Sequence, residues 1–328
     1  MTPPGRWQGQ RKSSFAGPVI PRRRIDGIAA VLLPFDVRGN PDYAGLARHL
    51  ERTRAAGLTP AVNMDTGFGP QLDPAGRAAV LAVTRETLGA GARFVAGAMP
   101  FGDSGDQLTA YKSSVRAIID LGGTPIVFPS ELFRDAPGAE VARLHRVITE
   151  PAEKALAFEL GAMFAPFGRI YDLDTVKRLM EIPNLAGLKH SSLTREPEYE
   201  RLAIRDRERP GFHIYTGNDL AIDMVMYGSD YLLGLATFDP GAFGIRDRWW
   251  EAGNLKFSRL NAALQAVGTT AFRDPVPAYK HSAAVYLKLT GMLPDPHPHP
   301  ACPRRPEGEE DLLAPLADAV LRTVSGAG

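Results

Sequence analysis

The feature that most constrains the fold is an alternation of short apolar runs with amphipathic helical stretches, repeated eight times from Gly27 onward. Such alternation is typical of βαβ units that feed a parallel sheet. The eight predicted strands cover residues 27–34, 61–64, 93–98, 124–128, 155–160, 185–189, 212–216 and 231–235. Eight such units predict an α/β fold, a (β/α)8 TIM barrel with a C-terminal helical appendage, and a barrel needs about 200 to 250 residues.

Local signals mark the ends of the helices between these strands. Asp73 and Pro74 precede a predicted helix over residues 75–88, because an aspartate can cap exposed amides and a proline fits the first turn. Gly89 follows this helix, where a left-handed residue is favoured. An earlier helix is predicted over residues 42–56 from its apolar spacing.

The chain is predicted to divide into three parts. Residues 1–25 form a flexible N-terminal arm that docks on a neighbouring subunit, residues 26–237 form the barrel, and residues 238–328 form C-terminal helices packed on it. A Pro-rich break covers residues 293–306, and a final helix covers 312–324. The alternative is a doubly wound open sheet, which would need a Gly-rich phosphate loop that the sequence lacks.

Composition narrows the class of partner. The formal net charge of +1 produces no overall electrostatic field that would attract nucleic acid or an anionic membrane. We therefore expect a small-molecule partner, no nucleic acid and no membrane. No run approaches the roughly 18 apolar residues of a membrane span. Cys302 is the only cysteine, which excludes an internal disulfide and fits a reducing cytoplasm.

Lys189 is the main candidate for chemistry. It stands at the end of an apolar strand, and barrel active sites lie at the carboxyl ends of the strands. Burial disfavours the ammonium form, and the neutral amine is a nucleophile toward a carbonyl carbon. The alternative is a lysine that reaches solvent or pairs with a carboxylate.

Several segments together resemble the dihydrodipicolinate synthase and N-acetylneuraminate lyase family of class I aldolases. Residues 187–192 (GLKHSS) resemble its lysine strand, G-[IL]-K-[DH]-[SA]-S, and residues 30–36 (AVLLPFD) resemble its opening A-x-[VL]-T-P-F-[DT]. Four further segments match segments of the family in the same order along the chain. They are residues 65–67 with Leu72, residues 216–219 (TGND), residues 228–235, and residues 275–277 with Lys280. The resemblance spans residue 27 to the C-terminus.

The resemblance implies a lyase or aldolase that forms a Schiff base on Lys189 and performs aldol cleavage, condensation or dehydration. It also implies a homodimer or homotetramer. No cofactor and no metal is required, because the iminium takes the place of a Lewis acid. His297 and His299 lie in a proline-rich loop with no third ligand in view.

The loop at residues 65–67 departs from the family pattern. The family holds a substrate carboxylate with paired threonines and backbone amides, but Asp65 stands in the place of the first threonine. Thr66, Gly67 and Asp65 are predicted to hold the head group of the substrate. Because a carboxylate at residue 65 would repel an oxo acid, a sugar-like carbonyl substrate such as a ketose is expected rather than pyruvate. A pyruvate-dependent aldolase requires that Asp65 be turned away or protonated.

The family's proton-shuttling tyrosine, in the motif Y-N-x-P-G-R, is also absent. Alignment on Gly168 and Arg169 puts Phe164 in its place, which makes Phe164 a candidate substrate contact, and alignment on the fifth strand puts Glu159 there. Burial would raise the pKa of Glu159, so it is the predicted general acid and base. The alternatives are a carboxylate that pairs with Arg169 or Lys189, and Tyr171 as the source of a hydroxyl.

Three polar residues near strand ends complete the predicted site. Ser191 is two residues beyond Lys189 and either hydrogen-bonds the imine or the substrate or caps a helix. Asn218 and Asp219 contact the substrate or cap a helix. His190 faces the helices by strand alternation. The rival to the enzyme hypothesis is a barrel that has lost catalysis and serves as a small-molecule binding or assembly subunit.

Overall fold

The computed structural model describes residues 17–100 and 106–326. Within these ranges, parallel strands close into a barrel in the order β1 to β8, each paired with the next and β8 with β1. The strands are β1 Gly27–Ala30, β2 Thr59–Val62, β3 Val95–Ala98, β4 Thr124–Val127, β5 Ala155–Leu160, β6 Leu185–Ser191, β7 His213–Thr216 and β8 Asp230–Leu233. All eight predicted strands are confirmed, and so is the (β/α)8 architecture.

Helices surround the barrel. They are α1 Tyr43–Ala55, α2 Pro74–Leu88, α3 Gln107–Asp120, α4 Glu131–Arg134, α5 Gly138–Thr149, α6 Leu173–Met180, α7 Glu196–Glu208, α8 Pro240–Ala252, α9 Lys256–Ala271, α10 Tyr279–Leu289 and α11 Glu309–Ser325. The carboxylates of Asp42 and Asp73 accept the N–H groups of Gly45 and Gly76 and cap α1 and α2. Across the described ranges, no helix is long and apolar enough to cross a membrane.

Strand alternation divides the core into two layers. Side chains that point into the barrel form the inner layer, which includes Ile28, Met64, Phe128, Phe158 and Tyr215. The intervening residues form a larger outer layer between the sheet and the helices. The side of a strand that a residue occupies therefore decides whether it belongs to the barrel interior or to the helix interface.

Helix α8 follows the predicted boundary at residue 237 and packs against α1 and β1 of the barrel. The division of the chain at residue 237 stays a prediction. Helices α9, α10 and α11 pack on one another and on α8.

The predicted N-terminal arm lies mostly outside the described residues. Its described part, residues 17–25, docks on its own barrel: the N–H of Ile20 donates to the carbonyl of Met226 at 2.8 Å. Arg23 pairs with Asp230 of β8 at 2.7 Å. These contacts place the segment against the amino-terminal end of the barrel.

Candidate active site

Lys189 points into the barrel near the carboxyl end of β6. The strand register places it between Phe158 of β5 and Tyr215 of β7, both of which belong to the inner layer. Its Nζ lies 4.4 Å from the centroid of the Phe158 ring, and the residue is 8% exposed. A lysine amine is thus enclosed at the end of the barrel where barrel enzymes carry their active sites.

The surroundings of Lys189 favour the neutral amine. Burial lowers the pKa of Lys189 to about 8, while the negative charges of Asp219 and Asp65 act in the opposite direction. A lysine with this pKa has a far larger neutral fraction at physiological pH than a surface lysine, whose pKa is near 10.4. The neutral form is the one that attacks a carbonyl carbon.

Ser191 lies beside the lysine, as the alternation of β6 requires. A Cβ atom at Gly217 would lie 2.0 Å from Ser191 Oγ and 2.8 Å from Lys189 Cε, so both side chains press against the backbone of that glycine. Gly217 therefore leaves the space that these two side chains occupy. The predicted proximity of Ser191 to the amine agrees with this packing.

Asp219 is the buried carboxyl group whose charge acts most strongly on Lys189. It accepts the N–H of Leu235 at 2.7 Å, which ties the loop after β7 to the end of β8. Burial raises the pKa of Asp219 to about 7, against the opposing effects of the Leu235 N–H and Lys189. The Asn218 side chain accepts the N–H of Leu220 at 3.0 Å and shapes the turn.

The loop after β2 brings Asp65 and Thr66 to the same end of the barrel. Asp65 Oδ1 lies 2.9 Å from Lys280 Nζ, and Asp65 Oδ2 accepts the hydroxyl of Tyr279 at 2.9 Å. Thr66 Oγ1 lies 2.9 Å from the same Tyr279 hydroxyl. At Gly67 a Cβ would come within 2.9 Å of the Val31 carbonyl, so the loop passes too close to the end of β1 for a side chain.

These contacts correct the argument that Asp65 excludes an oxo acid. That argument assumed an unpaired carboxylate facing the substrate. The ammonium group of Lys280 balances the charge of Asp65, and the phenol of Tyr279 occupies its second oxygen. Electrostatic repulsion by Asp65 is therefore no reason to prefer a sugar over an oxo acid.

Glu159 does not face the barrel interior, and its predicted raised pKa is wrong. Its carboxylate lies on the helix side of β5, where it meets His190 Nδ1 at 2.6 Å, Arg201 Nε at 2.5 Å and the N–H of Tyr171 at 2.8 Å. Burial alone would raise the pKa, but His190 and Arg201 outweigh it and lower the pKa of Glu159 to about 2. Its partners are also not Arg169 or Lys189, and His190 faces the helices as predicted.

Tyr171 lies in the outer layer as well. Its ring lies 6.4 Å from that of His145 of α5, its N–H donates to Glu159, and its carbonyl accepts Arg201 Nη2 at 2.6 Å. Its phenol is therefore on the opposite side of the sheet from Lys189. Phe164, in the loop after β5, is partly buried and packs against the inner layer.

Solved structures match almost the whole chain. The catalytic lysine mutant of the sialic acid aldolase of Ruminococcus gnavus has a TM-score of 0.77 and 14% identity over 92% of this chain and 97% of its own. The dihydrodipicolinate synthase of Acinetobacter baumannii complexed with pyruvate has a TM-score of 0.73 and 18% identity over 92% and 99%. The synthase of Thermotoga maritima has a TM-score of 0.75 and 15% identity over 92% and 99%.

The chain has the fold of the dihydrodipicolinate synthases and sialic acid aldolase. The resemblance seen in the sequence is thus confirmed at the level of the fold. No protein-family model and no curated protein matches the chain.

On this synthase and aldolase fold, helix α10 supplies two site residues that the sequence reasoning missed. Tyr279 had no assigned role, and Lys280 entered only as part of the resemblance. Both lie in the C-terminal helices, more than two hundred positions from the Asp65 that they contact. The only available signal was a tyrosine and a lysine adjacent in the chain, next to a segment that resembles the family.

The Pro-rich segment 293–306, which we call the cover segment, lies over the loops after β1 and β2. His297 and Phe35 exchange backbone hydrogen bonds at 2.8 and 2.9 Å. The His299 ring packs 5.1 Å from Phe35 and 5.7 Å from Phe68, and the buried Cys302 lies near enough to Lys280 and Asp65 for their charges to act on its thiol. The cover segment thus packs on the loops that follow β1 and β2, close to Lys280 and Asp65.

Proposed function

We propose that the protein is a class I lyase or aldolase of the dihydrodipicolinate synthase type, which acts on a carbonyl substrate through a Schiff base on Lys189. The observation that carries this proposal is the enclosed amine at the carboxyl end of β6, whose pKa is lowered to about 8. A lysine held in this state at the end of a barrel is suited to attack a carbonyl group.

The chemistry begins when the neutral Lys189 amine forms a C–N bond with the carbonyl carbon, and the carbonyl oxygen leaves as water after taking one proton from the amine and one from solvent. The product is an iminium cation, which withdraws electrons from the adjacent carbon and permits cleavage or formation of a C–C bond. The negative charges of Asp219 and Asp65 act on the Lys189 nitrogen. A negative charge close to the iminium stabilises it in a low-dielectric site.

Solved structures with the same fold support this class of enzyme. One is an aldolase whose lysine is described as catalytic, and another is a synthase that binds pyruvate. Since Lys280 balances the charge of Asp65, we extend the substrate class from sugar-like ketoses to include 2-oxo acids. The aldol cleavage, condensation or dehydration that follows the iminium depends on which of these compounds is the substrate.

The test is intact-protein mass spectrometry after borohydride reduction, with pyruvate, 2-oxo sugar acids and ketoses offered separately. We expect a covalent adduct on the native chain and none on Lys189→Ala, while Lys177→Ala, which alters a partly exposed lysine on α6, keeps the adduct. Peptide mapping distinguishes Lys189 from Lys280, the other buried lysine of the site.

An adduct on Lys280 would contradict the assigned nucleophile. No adduct with any of these compounds would contradict the enzyme proposal and favour the catalytically retired barrel. A homodimer or homotetramer, a cytoplasmic location and the absence of a cofactor requirement stay predictions from the sequence.

A further inference from the structure

The proposed Schiff base requires a group that moves a proton at the substrate carbon beside the iminium. Without it, the iminium cannot become the enamine that makes or breaks a C–C bond. Glu159 and Tyr171 lie on the helix side of the sheet and cannot reach the barrel interior. The group must therefore come from elsewhere in the structure.

We propose that Tyr279 is the catalytic phenol of this site and that it relays protons between the substrate and Asp65. This inference rests on the proposed Schiff-base function of Lys189. It assigns a proton-transfer role to the C-terminal helix α10, whereas the sequence had placed that role on β5 or the loop after it.

The first support is the hydrogen bonding of the Tyr279 hydroxyl. It lies 2.9 Å from Asp65 Oδ2 and 2.9 Å from Thr66 Oγ1. A phenol has one hydrogen, and an ionised carboxylate only accepts, so Tyr279 donates to Asp65 and accepts from Thr66. The three groups form a chain along which a proton can pass in either direction.

The second support is the location of the phenol. A Cβ at Gly234, just after β8, would lie 3.1 Å from Tyr279 Cε2 and 3.2 Å from Thr66 Oγ1, so the phenol lies between the ends of β2 and β8. The charges of Asp65 and Asp219 act on Tyr279 and on Lys189 alike. Asp219 also accepts the N–H of Leu235, the residue after Gly234, so the phenol and the amine both lie near Asp65 and Asp219 at the carboxyl end of the barrel.

The third support is that the phenol is held in position. The Tyr279 ring stacks on Phe272 at a centroid distance of 4.3 Å and an interplanar angle of 15°. Lys280 Nζ, at 2.9 Å from Asp65 Oδ1, fixes the carboxylate that accepts the phenol hydrogen. A proton-transfer group needs such fixed geometry, because the rate of transfer depends on the distance and alignment of donor and acceptor.

The proposed step is a concerted double transfer. The Tyr279 oxygen takes the proton from the carbon beside the iminium, while its own hydrogen passes to Asp65 Oδ2. The C–H electrons form the new C=C bond, and the C=N electrons return to the Lys189 nitrogen, which gives a neutral enamine and a protonated Asp65. Burial and the charge of Asp65 raise the pKa of Tyr279 well above its ordinary value, so a relay that avoids a free phenolate suits this site.

The test separates Schiff-base formation from proton transfer. Pyruvate and dihydroxyacetone are incubated separately with the protein in D2O, exchange at the α-carbon is followed by NMR, and borohydride trapping measures the adduct. Tyr279→Phe removes only the hydroxyl and keeps the ring that stacks on Phe272. Tyr286→Phe is the matched control, since this buried tyrosine lies on the same helix and packs against Phe238.

We expect Tyr279→Phe to reach the full adduct on long incubation while its exchange rate falls by about 10²- to 10⁴-fold, the usual contribution of general acid and base catalysis. Tyr286→Phe should exchange at the native rate. Should Tyr279→Phe fail to fold by circular dichroism, Asp65→Asn provides the same test, because it keeps the size of the acceptor and removes its basicity.

Two outcomes overturn the inference. If the native protein forms the adduct but Tyr279→Phe, or Asp65→Asn in its place, exchanges within about twofold of the native rate, proton transfer belongs to another group and the Schiff base stands. If the native protein forms no adduct with either compound, the proposed function fails and this inference fails with it.

Discussion

At the scale of single residues, two buried lysines at one end of the barrel have different surroundings. Lys280 lies 2.9 Å from the carboxylate of Asp65 and forms an ion pair with it. Lys189 instead lies 4.4 Å from the centre of the Phe158 ring, and burial dominates its environment. For Lys189 the loss of hydration on burial outweighs the effect of the nearby carboxylates, which is why we propose Lys189 as the nucleophile.

This difference predicts the pH dependence of adduct formation. Because burial lowers the pKa of Lys189 to about 8, its nucleophilic neutral form grows as the pH rises and is nearly complete above that value. The rate of borohydride-trapped adduct formation should therefore rise about tenfold per pH unit below 8 and level off above it. Rates measured by mass spectrometry from about pH 6 to about pH 10 check this.

A rate of adduct formation at Lys189 that kept rising up to about pH 10, toward the ordinary lysine pKa near 10.4, would contradict a pKa lowered by burial.

At the scale of secondary-structure elements, Glu159 joins β5, β6 and α7. His190 of β6 and Arg201 of α7 both bind its carboxylate, and all three side chains are buried. Breaking a buried pair by removing one partner costs about 3–5 kcal/mol, because the other charge is left without compensation. We expect Glu159→Gln to lower the free energy of unfolding by about this amount, as measured by urea denaturation.

The same variant distinguishes a structural role from a catalytic one. Glu159→Gln protein that is still folded should keep the α-carbon exchange of the native chain, since the carboxylate lies on the far side of the sheet from Lys189. Unchanged stability together with lost exchange would restore Glu159 as the acid and base. The matched control is Glu153→Gln, an exposed carboxylate that precedes β5.

The strands could be predicted from the sequence, but the side on which Glu159 lies could not. Apolar runs and their turns locate each strand, and the alternation within β6 places Lys189, His190 and Ser191 correctly. The register between β5 and β6 shifts between Ala155 and Leu156, so a sequence pattern cannot tell which residue of β5 lies beside the lysine. The place of Tyr279 in the site could not be predicted for another reason. Its contact with Asp65 depends on how the C-terminal helices pack on the barrel.

At the scale of the whole molecule, contacts among the described residues join the C-terminal helices to the barrel, and two groups of these contacts lie at the site. Tyr279 and Lys280 contact the loop after β2. Gln265 of α9 accepts the N–H of Ile222 and donates to the carbonyl of Asp219, in the segment after β7. Arg52 of α1 donates to the carbonyl of Met292 at 2.9 Å. The appended helices therefore complete the site instead of forming a separate domain.

These junctions predict that the barrel and the C-terminal helices unfold together. Trp249 and Trp250 lie on α8, and the Trp250 ring packs 4.7 Å from Phe257 of α9, so their fluorescence reports on the junction between barrel and appendage. In a Trp7→Phe background, the urea midpoint of this fluorescence should coincide with that of far-ultraviolet circular dichroism. Each site contact that spans the junction would be lost if one part opened alone, which couples the two parts.

Asp65→Ala is the variant that probes this coupling. It removes the carboxylate that binds Lys280 and Tyr279. The buried ammonium of Lys280 is then unpaired, which destabilises the packing of α10 on the barrel. We expect the fluorescence midpoint to move to lower urea than the circular dichroism midpoint in this variant. Separate transitions already present in the native chain would mean that the C-terminal helices fold independently, and the site would then be assembled by docking of two stable parts.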